Sequence, residues 1–385
     1  MYYAYKNLLL KNHMSKINSA ESIRGLACLA VVFSHLVFTF YPYAHEFESK
    51  VPTIKAFEWL YNSPFGFLYS GNAAVFVFFV LSGYVLSYAI LNKKKDINKK
   101  ILSMSVKRYP RLAIPAVISV LICYIVFLVD IDSSHVSNWA ASVGAYEGSI
   151  FYALYDGAIS AFLFGKSQYN WVLWTMQIEL FGSFLIFLLC YLSQKSKLVT
   201  IIAAALITIL GFTVSLKMGF GFFSFVLGMF FYLYGKRINF LVALPMLLVG
   251  LYFAGAHNNS ASYHLIGSVL NTKTATLLNV LCAPLIVYSI LMNDQLSKLL
   301  DNKLFVYLGK LSFSMYLLHM MLIYIVGIPI FNYFLNFGFL FSSVLASIIV
   351  VVLTIIASIP FSNYVDDLSI KVGKWIENKI MKKAP

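Results

Sequence analysis

Residues 340–361, LFSSVLASIIVVVLTIIASIPF, run for 22 positions without a charged side chain. At ~1.5 Å of rise per residue a helix of that length covers about 33 Å, and the hydrocarbon core of a bilayer is about 30 Å thick. A helix apolar on every side has no face to offer water, so the stretch reads as a transmembrane span. Comparable runs lie near 23–41, 71–91, 112–130, 171–192, 198–216, 219–235, 239–255, 276–293 and 305–327, which makes ten in all. The segment 150–165 is apolar but short and contains Asp156, and it reads as a re-entrant or interfacial helix.

Composition agrees. The 385 residues are 60% apolar and 11% charged, with 34 Phe and 26 Tyr, and the mean hydropathy is +0.80. A soluble domain carries about 25% charged residues, so a water-soluble protein is excluded, as are a disordered chain, a disulfide scaffold and a fibrous repeat. Continuous apolar runs argue against an outer-membrane barrel, whose strands alternate polar and apolar positions. The expected fold is an all-α polytopic transmembrane bundle of about ten spans. Cys28, Cys123, Cys190 and Cys282 each sit in an apolar stretch with no ligand cluster, and read as small buried hydrophobes.

The net charge of +14 acquires meaning once the spans are drawn. With the N-terminus inside, 24 of the 29 basic residues fall on the inner side, leaving Lys50, Lys55, Lys166, Lys217 and Lys273 outside. That asymmetry sets the orientation and places both termini in the cytoplasm. The expected layout is a cytoplasmic segment 1–22, one transmembrane domain 23–361 and a basic cytoplasmic tail 362–385. No cleavable signal is read at the N-terminus. Residues 1–13 look detached, with Met14 an alternative initiator. The outer loops 42–70 and 131–170 are long enough for a lid or an acceptor groove, or serve as solvated connectors.

Ionisable groups inside a span are costly and point to function. His35, Glu179 and His319 stand well inside, and Arg24 sits at the inner boundary of the first span. Counting helical rise puts His35 about 16 Å, Glu179 about 18 Å and His319 about 20 Å above the inner face. Three helices thus bring ionisable groups to one layer. An imidazole there takes a proton from a hydroxyl near neutral pH, or serves as a core histidine bonded between helices. Glu179 orients that imidazole, binds a sugar hydroxyl, or is a structural partner. His319 is a further member of the layer or caps a helix contact.

A basic cluster marks the inner face: Lys93, Lys94, Lys95, Lys99, Lys100, Lys107, Arg108 and Arg111. Topology and anionic lipid account for the lysines. Arg108 and Arg111, three apart on one helix face, offer the bidentate phosphate recognition that lysine lacks. With Arg24 at the same level, the implied ligand is a cytoplasmic polyanion. No module for nucleic acid is present to claim it.

Five strings carry a resemblance in order along the chain. SAESIRGLACLAVVFSHL at 19–36 resembles the opening helix of the acyltransferase-3 family of integral membrane O-acyltransferases, with Arg24 and His35 separated by ten residues. FFVLSGYVLS at 78–87 resembles its second-span motif, RYPRL at 108–112 its Arg-x-x-Arg, WVLWTMQIEL at 171–180 its Trp-x-Leu-x-x-Glu stretch, and LGKLSFSMYLLH at 308–319 its late-span motif. Members often have Asp where Glu21 stands. Some also carry an extracytoplasmic hydrolase domain; here the acceptor is expected to be handled by the chain's own loops or by a separate protein.

The resemblance implies transfer of an acyl group, usually acetyl, from cytoplasmic acyl-CoA to a hydroxyl of an envelope glycan such as O-antigen. It also implies a bacterial inner-membrane location. In that scheme Arg24, Arg108 and Arg111 hold the CoA phosphates. His35 is the general base or an acyl carrier, and Glu179 supports it. Ser82, Gly83, Trp174, Tyr316 and His319 line or support the passage. Acyl-CoA is a co-substrate, with no metal and no permanently bound cofactor, and the partners are the glycan acceptor and membrane lipid. The competing reading from the residues is a proton-coupled transporter or flippase of a lipid-linked sugar or small anion, since intramembrane His and Glu serve that role equally well.

Overall fold

The computed structural model describes residues 2–47, 51–92, 96–146, 148–270 and 274–381, with side chains from Asn18 onward. Glu48, Lys50, Lys93, Lys94, Lys95, Glu147, Lys273 and the side chain of Met14 therefore lie outside the described residues. The described residues are mostly helical, with no strand among them, as the lipid environment demands: a spanning helix bonds its own backbone polar groups.

The main helices are α1 (Tyr2–Phe40), α2 (Gly71–Leu91), α3 (Ile97–Val126), α4 (Ile150–Leu163), α5 (Thr175–Ser193), α6 (Lys197–Val214), α7 (Leu216–Tyr234), α8 (Phe240–Ala254), α9 (Thr274–Leu291), α10 (Lys303–Leu322), α11 (Phe339–Phe361) and α12 (Asp367–Met381). Nine of the ten expected spans are helices of sufficient length and apolarity among the described residues. The tenth, α8, has 15 residues, roughly 22 Å of helix. The segment expected to be re-entrant or interfacial is the short helix α4. The boundary drawn at residue 22 falls inside α1, which runs unbroken for 39 residues. α6 exposes Leu198, Ile202, Leu206 and Ile209, a stripe at helical spacing that suits lipid rather than water.

The chain divides into two compact units. The first contains residues through Ser34, 56–84 and 224–313. Within it α8 packs along α9, and small residues let backbones meet. A Cβ on Gly228 of α7 would lie 2.0 Å from the Val80 carbonyl oxygen of α2, and one on Gly309 of α10 would lie 2.0 Å from that of Glu21 on α1. Polar ties reinforce the second crossing: the Ser19 hydroxyl donates to the Ser297 carbonyl at 2.7 Å and Asn18 donates to Asp301 at 2.8 Å.

The second unit contains 35–55, 85–223 and residues from Ser314 onward. α3 is its spine: α5, α4 and α12 all pack on it. Pro110 and Pro115 lie inside α3, and such prolines are tolerated in membrane helices where neighbours satisfy the released carbonyls. Beyond Leu322 the helix passes through a wide π turn, 323–327, and another such turn, 362–366, joins α11 to α12. All four cysteines are buried thiols.

The glycine crossings give a direct test. Gly228→Ala and Gly309→Ala should each lower stability by about 1–3 kcal/mol through overpacking, read as a lower unfolding temperature in detergent. Gly267→Ala, whose Cβ would meet nothing closer than 3.7 Å, should leave it unchanged.

Candidate functional site

Helix α1 enters the second unit at His35, and α10 does so at Ser314, so His35 and His319 belong to one unit. His319 is fully buried and His35 half-buried. Nε2 of His319 lies 2.9 Å from Nδ1 of His35, and Nδ1 of His319 lies 3.1 Å from the carbonyl oxygen of Met315. A carbonyl only accepts, so Nδ1 of His319 carries a proton and donates it to Met315. With both rings neutral, Nε2 of His319 is then an acceptor, and Nδ1–H of His35 donates to it. The remaining nitrogen of His35, Nε2, bears the lone pair. The relay from carbonyl to ring to ring fixes the tautomer of His35, as an orienting partner does for a catalytic histidine.

Aromatic rings enclose the pair. Trp139, from the outer loop, stacks on His35 with centroids 5.5 Å apart and planes 14° apart, while Phe38 lies 5.0 Å from Trp139. Trp171 meets Trp139 edge-on at 5.8 Å. The Thr39 hydroxyl donates to the His35 carbonyl at 2.8 Å, closing the helix one turn further on. Tyr316, 6.0 Å ring to ring from His319, donates its hydroxyl to the Val172 carbonyl at 2.7 Å and lies 3.0 Å from the Thr175 hydroxyl. Tyr316 thereby ties the histidine helix to the start of α5. Trp174 carries Lys217 over its ring at 4.4 Å.

Glu179, further along α5, receives the guanidinium of Arg108 from α3. Both side chains are largely buried, and a carboxylate at that depth needs a cation. Arg111, one turn beyond on α3, is exposed and acts electrostatically on Asp366 in the π turn at 362–366. Lys107 pairs with Glu377 of α12 at 2.9 Å. Of the three arginines expected to await a polyanion, Arg108 is thus paired with an acid of α5 and Arg111 stays exposed. Arg24 pairs with Glu21 at 3.5 Å in the first unit. Ser82 and Gly83 also belong to that unit, where a Cβ on Gly83 would lie 2.0 Å from the Phe225 carbonyl oxygen.

The structure therefore joins His35 to His319, with Tyr316 beside them, and joins Arg108 to Glu179. Trp139 and Asp366 were not singled out in the sequence. A tryptophan in a short outer-loop helix has no periodic pattern around it, and Asp366 falls in a tail read as basic; their only prior signals were residue type and position.

The sequence model of the acyltransferase-3 family, an acyltransferase domain, matches residues 17–363. No curated protein and no solved structure matches the chain. The matched segment takes in the opening-helix arginine and histidine, the α3 arginines, Glu179 and His319, so the motif-level resemblance extends over the whole bundle: the chain belongs to the acyltransferase-3 family and is a multi-pass membrane acyltransferase.

Proposed function

We propose that the protein transfers an acetyl group from cytoplasmic acetyl-CoA to a hydroxyl of an envelope glycan, in a bacterial inner membrane. The observation that carries the reading is the relay Met315–His319–His35, which leaves a basic Nε2 on His35 in the layer where ionisable groups are costly. His35 takes the proton of the acceptor hydroxyl as its oxygen attacks the thioester carbonyl. The C–S bond breaks, the new ester C–O bond forms, and the imidazolium returns the proton to the departing CoA thiolate. His319 positions the base and disperses its transient charge. The family match favours this over the transport reading.

Arg24, Arg108 and Arg111 serve the CoA phosphates. A guanidinium has five N–H donors, so holding Glu179 and meeting a phosphate are compatible. Glu179 then acts by fixing Arg108, and through it the donor end of the site. The direct transfer route needs His35 alone as base; an acyl-His35 intermediate would use the same lone pair as nucleophile.

Purified protein supplied with radiolabelled acetyl-CoA and the native cell's envelope glycan, stripped of esters by mild alkali, should place alkali-labile label on the glycan with an equivalent release of CoA. Absence of both overturns the reading. His35→Ala should lower the rate by about 10²–10⁴-fold while the protein stays folded. His319→Ala should lower kcat with the acetyl-CoA KM unchanged. Glu179→Gln should lower the unfolding midpoint, and the double variant with Arg108→Gln should recover part of it, with a coupling energy of about 0.5–3 kcal/mol.

A further inference from the structure

Outside the histidine pair, the second unit holds a cavity of about 1010 Å³ at the outer-loop end of α3, at the top of the ~300–1,000 Å³ range of small-molecule sites. Its walls come from the end of α3, residues between 130 and 146, Gly148, Ser149, Tyr169 and Tyr324. Three tyrosines set at near right angles form one side: Tyr169 meets Tyr146 at 5.3 Å and Tyr124 at 5.9 Å. Asp130, Ser133 and Ser149 supply polar groups, and no Lys or Arg lines the cavity among the described residues. The Tyr169 hydroxyl is buried without a hydrogen-bond partner among the described residues, a costly state that a bound hydroxyl relieves. It lies beside Gly148, another lining residue, where a Cβ would approach it to 2.6 Å.

The base of the loop is held firmly. Asp156 accepts from the Ser167 hydroxyl at 2.6 Å and from the backbone N–H groups of Gln168 and Tyr169. This fixes the position of Tyr169. Burial raises the Tyr169 hydroxyl above the ordinary phenol range, so it stays a neutral donor. Below the cavity, Val143 and Tyr324 continue into a gap too narrow for water, shared with Thr39 and Trp139. Trp139 is the ring stacked on His35.

We propose that this cavity binds the glycan acceptor as a neutral sugar chain, with ring C–H faces on Tyr146 and Tyr124 and hydroxyls on Asp130 and Tyr169. The proposal rests on the glycan-acetylation reading above and names the acceptor's site. Aromatic faces with few, placed polar groups suit a sugar, which is apolar on its C–H faces and polar at its rim. A carboxylate without a lining cation repels phosphate or an anionic headgroup. Hydroxyl and carboxylate walls are costly against an acyl chain. Trp139 and Val143 form the partition between acceptor and base, and the acceptor hydroxyl reaches His35 when that partition opens.

The test uses the full-length protein, labelled acetyl-CoA and the alkali-treated envelope glycan, with initial rates measured against each substrate in turn. Tyr146→Ala should raise the glycan KM roughly tenfold, the equivalent of one lost aromatic contact, with the acetyl-CoA KM unchanged. Tyr146→Phe, which keeps the ring, should stay near wild type. Ala145→Trp, which fills the cavity without removing a packed side chain, should raise the glycan KM similarly and serves if Tyr146→Ala does not fold. A glycan KM within twofold of wild type in the folded cavity variants overturns the proposal while leaving acetyl transfer intact. An equal change in both KM values, or rescue of the glycan KM by delipidation, overturns it in favour of a structural or lipid-binding role. A wild-type protein that releases no CoA instead sinks the underlying reading.

Discussion

The hydrogen bond from His35 to His319 is the constraint to which the rest of the second unit is fitted. Two imidazoles in contact are productive only if their protons are ordered, and the Met315 carbonyl orders them. That carbonyl is part of the same helix as His319, so the tautomer is set by helix geometry and not by a mobile loop. Trp139 and Phe38 then cover the pair. Tyr316 fixes the helix against the start of α5. Each support acts on the orientation of one ring, the ring that presents the lone pair in the proposed transfer.

Charge in the same unit is arranged by pairing. Along α3, Lys107 pairs with Glu377 and Arg108 with Glu179, while Arg111 remains exposed and acts on Asp366 only through its field. Unpaired charges at such positions would be expensive. The pairs also tie α5 and α12 to the spine helix, so the Arg108–Glu179 pair and the histidine pair share a frame.

Much of this was legible in the sequence, for physical reasons. Apolar runs near 20 residues leave little freedom in a bilayer, so the spans emerged directly, and only the short α8 falls below full length. Counting rise along helices put His35 and His319 within about 4 Å of each other in depth, and the two are bonded. Rise does not give azimuth, however. The same count put Glu179 in that layer, yet the groups that meet are settled by which face each helix turns inward, and Arg108 meets Glu179. Arg108 and Arg111 read as one clamp because three-residue spacing shares a face; in the structure Arg108 is largely buried against Glu179 while Arg111 is exposed. Trp139 and the tyrosine-lined cavity were beyond reach, since they depend on a loop folding back over helices distant in sequence.

The wide turn at 323–327 has an evolutionary corollary. It holds one more residue than an α-helical turn, so all that follows is set back by about 100° relative to an unbroken helix. Ile328 and Phe331 owe their inward orientation to that extra residue. Homologous chains can exchange side chains freely across this stretch, but losing a single codon would rotate the remainder of the helix out of register. Length here should drift far more slowly than composition.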